Sequence, residues 1–307
     1  MNAEIHNYFK DIEQKVAAMY RVAEKARKKG FDPEVHASVP LAKNMAERVE
    51  GLIGALIPGI IDSGLSERIQ ELEKKHGKLN PLVALSISLE VVKEKFCKFD
   101  NRIKAIEGGI RVGLAYLTLG VVSSPLEGFV ELKLKKRKDG KEYFCLMYSG
   151  PIRSAGGTAG ALSVVIADYL RKNLGYDVYD ATEKEIRRMV TELYDYHERV
   201  TNLQYLPSEK EIRFLVKNLP LQIDGDPSEK IEVSNYKDLD RIETNNIRSG
   251  SCLVLGECVA QKASKLWNII SSWPKETGLE HWSFLESFLT LQKNLGKKFK
   301  LSVMICL

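Results

Sequence analysis

Apolar residues recur every three or four positions between residues 4 and 29, the spacing of one face of an α-helix. Gly30 follows, and helices commonly end at such a glycine. Residues 31–40 include Pro33 and Pro40 and predict a linker, so we expect residues 1–30 to form an amphipathic helix that can be detached from the body. Its apolar face must be buried on the same chain or on a partner, and we favour a partner. The expected docking residues are Ile5, Tyr8, Phe9, Ile12, Val16 and Met19.

Residues 41–296 predict a mainly helical body, because most apolar positions keep the helical period. Alternating apolar and basic residues, the turn Asp139-Gly140 and a second β-like segment predict a β-hairpin over 128–148. Short strands are expected at 219–224 and 230–233. The fold class is therefore mainly α with a small β component (α+β), a helical bundle with a β-hairpin and two short strands. The predicted helices of the body cover 41–57, 64–76, 81–97, 103–119, 158–174, 182–197, 207–218, 252–271 and 279–295.

Composition narrows the class of protein. The chain has 307 residues, 44% hydrophobic and 28% charged, so it can bury a core. A net charge of +5 permits a polyanionic partner without demanding one. The five cysteines include no Cys-x-x-Cys pair, which argues against a disulfide framework and a zinc site and fits a reducing compartment. We find no signal region or membrane-spanning run, and expect a cytoplasmic protein without a membrane partner.

The run Gly150–Gly160 (GPIRSAGGTAG) is the most unusual stretch, and it lies between a β-like segment and a helix. A glycine-rich turn that opens a helix directs free N–H groups at an anion. It can equally be a tight turn whose glycines allow close packing, and the residues alone do not decide. The run has neither the lysine of a Walker loop nor the glycine spacing of a dinucleotide fingerprint. The candidate phosphate ligands are Arg153, Gly156, Gly157 and Thr158.

Two further segments carry phosphate-binding residue types. The hairpin holds the densest positive cluster, either a charged edge that blocks aggregation or a phosphate contact. Residues 241–250 combine arginines and amides before a helix, although a polar loop held by its own hydrogen bonds is slightly favoured. The candidates are Lys133, Lys135, Lys136, Arg137 and Lys138 in the hairpin and Arg241, Asn245 and Arg248 in the loop.

Catalytic chemistry finds little support in the sequence. The five histidines are scattered, and none is beside a serine or cysteine with an orienting acid. Asp224 and Asp226 form a D-x-D pair of the kind that can hold Mg²⁺. Asp-Gly and Asp-Pro are also common turn formers, and we favour the turn.

Several of these strings together resemble the large subunit of the archaeal family D DNA polymerases. The resemblance covers about residues 4–285 and is strongest over 107–168. It is carried by residues 46–51 (AERVEG), 120–128 (GVVSSPLEG), 150–159 (GPIRSAGGTA), 203–205 (LQY), 223–225 (IDG), 232–234 (EVS) and 241–245 (RIETN). The chain departs from the family pattern at Ser249, where Arg-Gly-Gly is usual, and at 219–222, where a cysteine is common. Residues 289–307 match no familiar segment, and we expect 297–307 to be a poorly packed, disordered or non-native tail.

The resemblance implies a two-subunit replicative polymerase whose small subunit carries a 3′→5′ proofreading nuclease. The family's catalytic aspartates, which hold Mg²⁺, lie downstream of the matching region. It therefore implies no catalytic residue, metal ligand or cofactor in this portion. The implied partners are primer–template DNA, the small exonuclease subunit and the catalytic region of the large subunit.

We thus expect an assembly and DNA-contacting module of such a polymerase. One alternative is a structural scaffold that docks the catalytic core without touching DNA. The weakest alternative is a stand-alone enzyme that binds nucleotide phosphates at the glycine run, because no general base, lysine or metal cluster accompanies that run.

Overall fold

The computed structural model describes residues 3–31, 42–118 and 124–305, with side chains for all of these except 124, 125 and 297–305. It divides the chain into two compact units, residues 1–41 and 42–307. Helix α1 (Ala3–Lys28) forms the first unit, as the apolar period predicts, and none of its residues is buried. The predicted linker 31–40 lies outside the described residues except for Phe31. Within the described part of the chain, no helix is both long enough and apolar enough to cross a membrane.

The second unit is mainly helical with a small sheet, so the predicted fold class is confirmed. Several of its helices begin at capping side chains, among them Thr182 and Ser208, each of which forms a complete capping box. The helices are α2 (Met45–Gly54), α3 (Leu65–His76), α4 (Pro81–Val92), α5 (Arg102–Leu117), α6 (Ser124–Gly128), α7 (Gly157–Asn173), α8 (Glu183–Arg199), α9 (Glu209–Asn218), α10 (Ser249–Leu253), α11 (Gln261–Ile270) and α12 (Phe284–Ile305). Since α12 continues to Ile305 without described side chains after residue 296, the packing expected of 297–307 stays a prediction.

The sheet has three strands in the order β1-β2-β3. Strands β1 (Phe129–Lys136) and β2 (Glu142–Tyr148) form the predicted antiparallel hairpin, and β3 (Gln222–Gly225) runs parallel to β2. The strand expected at 230–233 is wrong. Residues 231–233 instead pair with 245–247 through an isolated bridge and two flanking hydrogen bonds, because the later loop folds back over them.

Helix α5 covers the free edge of β1. The Arg111 guanidinium donates to the carbonyl oxygens of Phe129 and Val130, and Glu107 accepts the Leu132 N–H at 3.0 Å. Side chains thus satisfy edge groups that would otherwise be free to pair with another strand.

Helices α10 and α11 are parts of one continuous helix, joined by the π-helical segment Val254–Ala260. All seven π-helical residues are buried, and the segment packs against α7. The sequence predicts a single helix here and does not reveal the wider π turns.

Gly250, at the start of α10, lies against the end of β2. A β-carbon at this position would overlap the backbone carbon and oxygen of Tyr148 and approach the Ser149 nitrogen at 2.5 Å. Backbone atoms cannot move aside as a flexible side chain can, so the contact requires glycine.

We therefore expect Gly250→Ala to lower the free energy of unfolding by about 1–3 kcal/mol, the usual cost of overpacking. The matched control is Gly51→Ala, in the exposed interior of α2, where a β-carbon meets no atom within 4 Å. Alanine favours helix there, so this variant should gain up to about 1 kcal/mol. Urea denaturation of both variants makes the comparison, and equal stabilities would contradict the packing assignment.

Candidate nucleic-acid interface and its buried support

The glycine run forms a short 3-10 helix, Gly150–Ala155, followed directly by α7. Gly156 lies between them with a φ of +76°, a conformation that favours glycine. As the N-cap residue it has no side chain, so the first N–H groups of α7 receive no side-chain cap. This differs from α2, α4, α5, α8 and α9, which Asn or hydroxyl side chains cap.

The uncapped start of α7 opens into a surface cleft of about 320 Å³. Lys265, from α11, is the charged residue of its lining, and it is exposed. The stem of Lys262 crosses Gly157, where a β-carbon would lie 2.8 Å from the Lys262 Cε. The lining residues are Leu117, Ala155, Gly156, Gly157, Thr158, Ala159, Leu162 and Lys265.

Arg153 also lies at this surface, with 39% of its side chain exposed. Its Nη2 donates to Glu257 Oε1 at 3.0 Å. Glu257 belongs to the π-helical segment, and its side chain is only 7% exposed. The backbone oxygen of Glu257 would lie 2.6 Å from a β-carbon on Gly157, so the run also has the close packing of the alternative interpretation. Both interpretations of the glycine run therefore have support at different residues.

The face of the hairpin that carries Lys133 and Lys135 lies under the loop 241–243. Lys133 contacts Glu243 at 2.5 Å, and Lys135, with 11% of its side chain exposed, contacts Asp224 at 3.2 Å and the Arg241 carbonyl at 2.8 Å. These lysines are largely engaged within the protein.

The tip of the hairpin is more open. Arg137 donates to Asp139 and to the Val178 carbonyl. Lys136 and Lys138 are exposed, and their ammonium groups form no ion pair within the described residues. Of the five hairpin candidates, these two remain available to a partner.

Arg248 lies in the interior with 1% of its side chain exposed, between two carboxylates. Its Nη1 donates to Asp224 at 2.5 Å, and its Nε and Nη2 donate to Glu192 at 2.9 and 2.5 Å. Arg188, also buried, donates to the same Glu192 at 3.1 Å. This set, which we call the buried ionic network, joins β3, α8 and α10. Arg248 therefore holds these elements together, and a phosphate outside the protein cannot reach it in this structure.

Asp224 receives hydrogen bonds from all sides. Lys135, Gln222 and the Gly225 N–H donate to it in addition to Arg248. Burial alone would raise the pKa of Asp224, but the charges of Arg248 and Lys135 outweigh it and hold the pKa below its ordinary value. Asp224 makes the local backbone contact expected of a turn former, with the Gly225 N–H, but it lies within β3, where its carboxylate also binds buried cations. No group of three His, Cys, Asp or Glu suited to a metal ion occurs among the described residues.

The loop 241–250 is held mainly by residues outside it, although within it Thr244 Oγ1 accepts the Asn246 N–H at 3.0 Å, a contact of the kind favoured from the sequence. Arg241 pairs with Asp180 and with Glu185 at 2.6 Å, and its guanidinium lies over the rings of Tyr143 and Tyr179. Asn245 exchanges two hydrogen bonds with Asp238. Ser249, the departure from the family pattern, accepts the hydroxyl proton of Ser228 at 2.6 Å.

The docking residues predicted on α1 lie on the helix as expected. Ile5, Tyr8, Phe9 and Met19 are 47–65% exposed, and Ile12 and Val16 are half-buried. Their surfaces form one apolar stripe along the helix.

The fold and the site define an α+β module with a cationic glycine turn at its surface and an ionic network in its interior. Residues 7–291 match the family model described as DNA polymerase II large subunit DP2, N-terminal, so the chain belongs to this family.

Relatives named DNA polymerase II large subunit are 49% identical in Nanoarchaeum equitans, 42% in Pyrococcus horikoshii and 41% in Thermococcus kodakarensis. These alignments cover 95%, 93% and 96% of this chain but only 23%, 19% and 16% of the relatives. The chain thus spans about a fifth of their length and resembles their N-terminal region.

Removal of one partner from a buried ion pair leaves an uncompensated charge, which commonly costs about 3–5 kcal/mol. We expect Arg248→Met to lower the free energy of unfolding by this amount, measured by urea denaturation. Arg187→Met is the control, because Arg187 and its partner Glu183 are both at least half exposed, and it should change stability by less than about 1 kcal/mol. Equal effects of the two substitutions would show that the buried ionic network is not required.

Proposed function

We propose that this chain is the N-terminal assembly and DNA-contacting module of the large subunit of a two-subunit replicative DNA polymerase, acting in the cytoplasm. Membership of the large-subunit family supports the polymerase assignment. The observation that carries the DNA contact is the uncapped start of α7, which opens into a cleft with Lys265 in its lining and Arg153 beside it. Nucleotide addition, its Mg²⁺ and proofreading are assigned to other parts of the polymerase.

The chemistry of this surface suits a phosphate. Free N–H groups in the first turn of a helix, with the positive end of its dipole, attract an anion. Arg153, Lys262 and Lys265 add positive charge, and the cleft lining contains no carboxylate among the described residues. Contacts of this kind bind the DNA backbone without reading its sequence, as a replicative polymerase requires.

The buried and paired cations are left out of the proposed contact surface. Arg248, Arg241 and Lys135 already neutralise carboxylates inside the fold, and their release would cost more than one phosphate contact returns. Lys136 and Lys138 remain as a second, more distal contact.

We expect Lys265→Ala and Arg153→Ala each to weaken binding of a primer–template duplex by about fivefold to tenfold, corresponding to about 1–1.4 kcal/mol. Each should also make the fall of log K with log salt less steep, by about 0.9 in slope. Fluorescence anisotropy on the 307-residue chain over a salt series measures both quantities. Lys98→Ala is the control and should bind as the wild type, because Lys98 is 84% exposed and precedes the start of α5, the end of that helix opposite Leu117 in the cleft lining.

The scaffold hypothesis is the second candidate, favoured by the packing of Gly157 against the π-helical segment. It predicts that Arg153→Ala lowers the melting temperature and leaves DNA affinity unchanged. DNA contact predicts that the same substitution weakens DNA binding and leaves the melting temperature unchanged. The stand-alone enzyme receives no support from the cleft, whose lining holds no His, Cys, Asp or Glu among the described residues.

For α1 we propose docking onto the small exonuclease subunit. The helix presents an exposed apolar stripe on a unit separate from the body, and proteins in this family are named as the large subunit of a polymerase. Large exposed apolar side chains along one helix face are typical of a helix that packs into a partner's groove.

We therefore expect Phe9→Glu to weaken binding of the small subunit at least tenfold, because it places a charge within the stripe. The control is Gln14→Glu, which adds the same charge on the opposite, exposed face of the helix. Isothermal titration with the small subunit of the same polymerase measures both. Wild-type affinity in Phe9→Glu would exclude α1 as the docking element.

A further inference from the structure

We propose that Glu257 is an internal competitor of the DNA phosphate, so that its carboxylate and the phosphate compete for the guanidinium of Arg153. The inference rests on the proposed function and concerns the same surface. It assigns a role to a residue of the π-helical segment that sequence patterns do not single out.

The two members of the pair differ in exposure. Glu257 is 7% exposed and Arg153 is 39% exposed, so the carboxylate is held inside while the guanidinium reaches solvent. One of the Arg153 donors is used, in the single hydrogen bond to Glu257 Oε1. The other donors of its guanidinium have no partner among the described residues and can reach a phosphate.

Glu257 stays in place without Arg153, because a second donor holds it. The Gln204 N–H donates to the same Oε1 at 2.8 Å. The backbone of Glu257 also packs against Gly157, at the mouth of the cleft. The carboxylate is therefore a fixed negative charge beside the start of α7, whether or not Arg153 contacts it.

A fixed carboxylate beside a phosphate site has two effects. It repels the incoming phosphate, and it retains the arginine that would bind the phosphate. Both effects weaken the contact and make it easier to break. A module that must release and re-form backbone contacts as a polymerase moves would benefit from such a contact.

The test is Glu257→Gln in the 307-residue chain. Glutamine keeps the shape and can still accept the Gln204 N–H, but it carries no charge to retain Arg153 or to repel phosphate. We expect threefold to tenfold tighter binding of a primer–template duplex in fluorescence anisotropy. Combination with Arg153→Ala should remove most of this gain, since the released arginine supplies it.

Glu286→Gln is the matched control, because it removes one negative charge at an exposed position of α12. A gain no larger than that of Glu286→Gln would overturn the proposal, as would a gain that is equally large without Arg153. Glu257→Asp is a second variant in case Glu257→Gln does not fold, since it keeps the charge but draws the carboxylate back by one methylene. We expect its gain in DNA affinity to be smaller than that of Glu257→Gln. Weaker DNA binding by a folded Asp variant would also overturn the proposal. If Arg153→Ala and Lys265→Ala do not alter DNA affinity, the proposed function itself fails.

Discussion

The contact of Arg248 with Asp224 and Glu192 is the interaction on which the rest of the structure depends. It joins three elements that are distant in sequence, namely β3, α8 and α10. Strand β3 has only four residues and pairs with β2 along one side. Helix α10 begins the continuous helix that carries both Glu257 and Lys265. The position of the cationic surface thus depends on Arg248, which is buried and lies away from that surface.

Such a network is costly to bury and stabilises only when nearly every polar group is satisfied. That condition is met here: Asp224 accepts from cations, an amide and a backbone N–H, and the Arg248 N–H adds a further bond to Glu192 at 2.7 Å. The network gives the fold geometric specificity, because a shifted strand or helix would leave charges unpaired. An apolar core of the same volume would tolerate such shifts more readily.

The sequence predicts the helices and the hairpin well, because these depend on local period, caps and turns. Thr182 with Glu185, and Asp139-Gly140, are signals contained within a few residues. The arginines 241 and 248 show the limit of this reasoning. Their residue type suits phosphate, but whether they face solvent depends on acids located in other elements.

One overlooked signal could have indicated the buried charges. Glu185, Arg188, Glu192 and Asp195 recur at helical spacing on α8, beside the apolar positions 186, 189, 193 and 196, so they lie on the margin of the buried face. The π-helical segment has no comparable signal, since its residues suit an α-helix equally well and only the packing against α7 distinguishes the two.

The wider turns of that segment have a consequence for how the surface is specified. Hydrogen bonds in a π-helix join residues five positions apart, whereas those in an α-helix join residues four apart. Each π turn therefore rotates the residues that follow it about the helix axis. Lys262 and Lys265 face the start of α7 because of the number of residues between them and Arg248. Their chemistry alone does not set this direction. The number of residues between Arg248 and α11 thus determines which way the two lysines point. A one-residue insertion in 254–260 would turn α11 relative to α10 although every original side chain is retained.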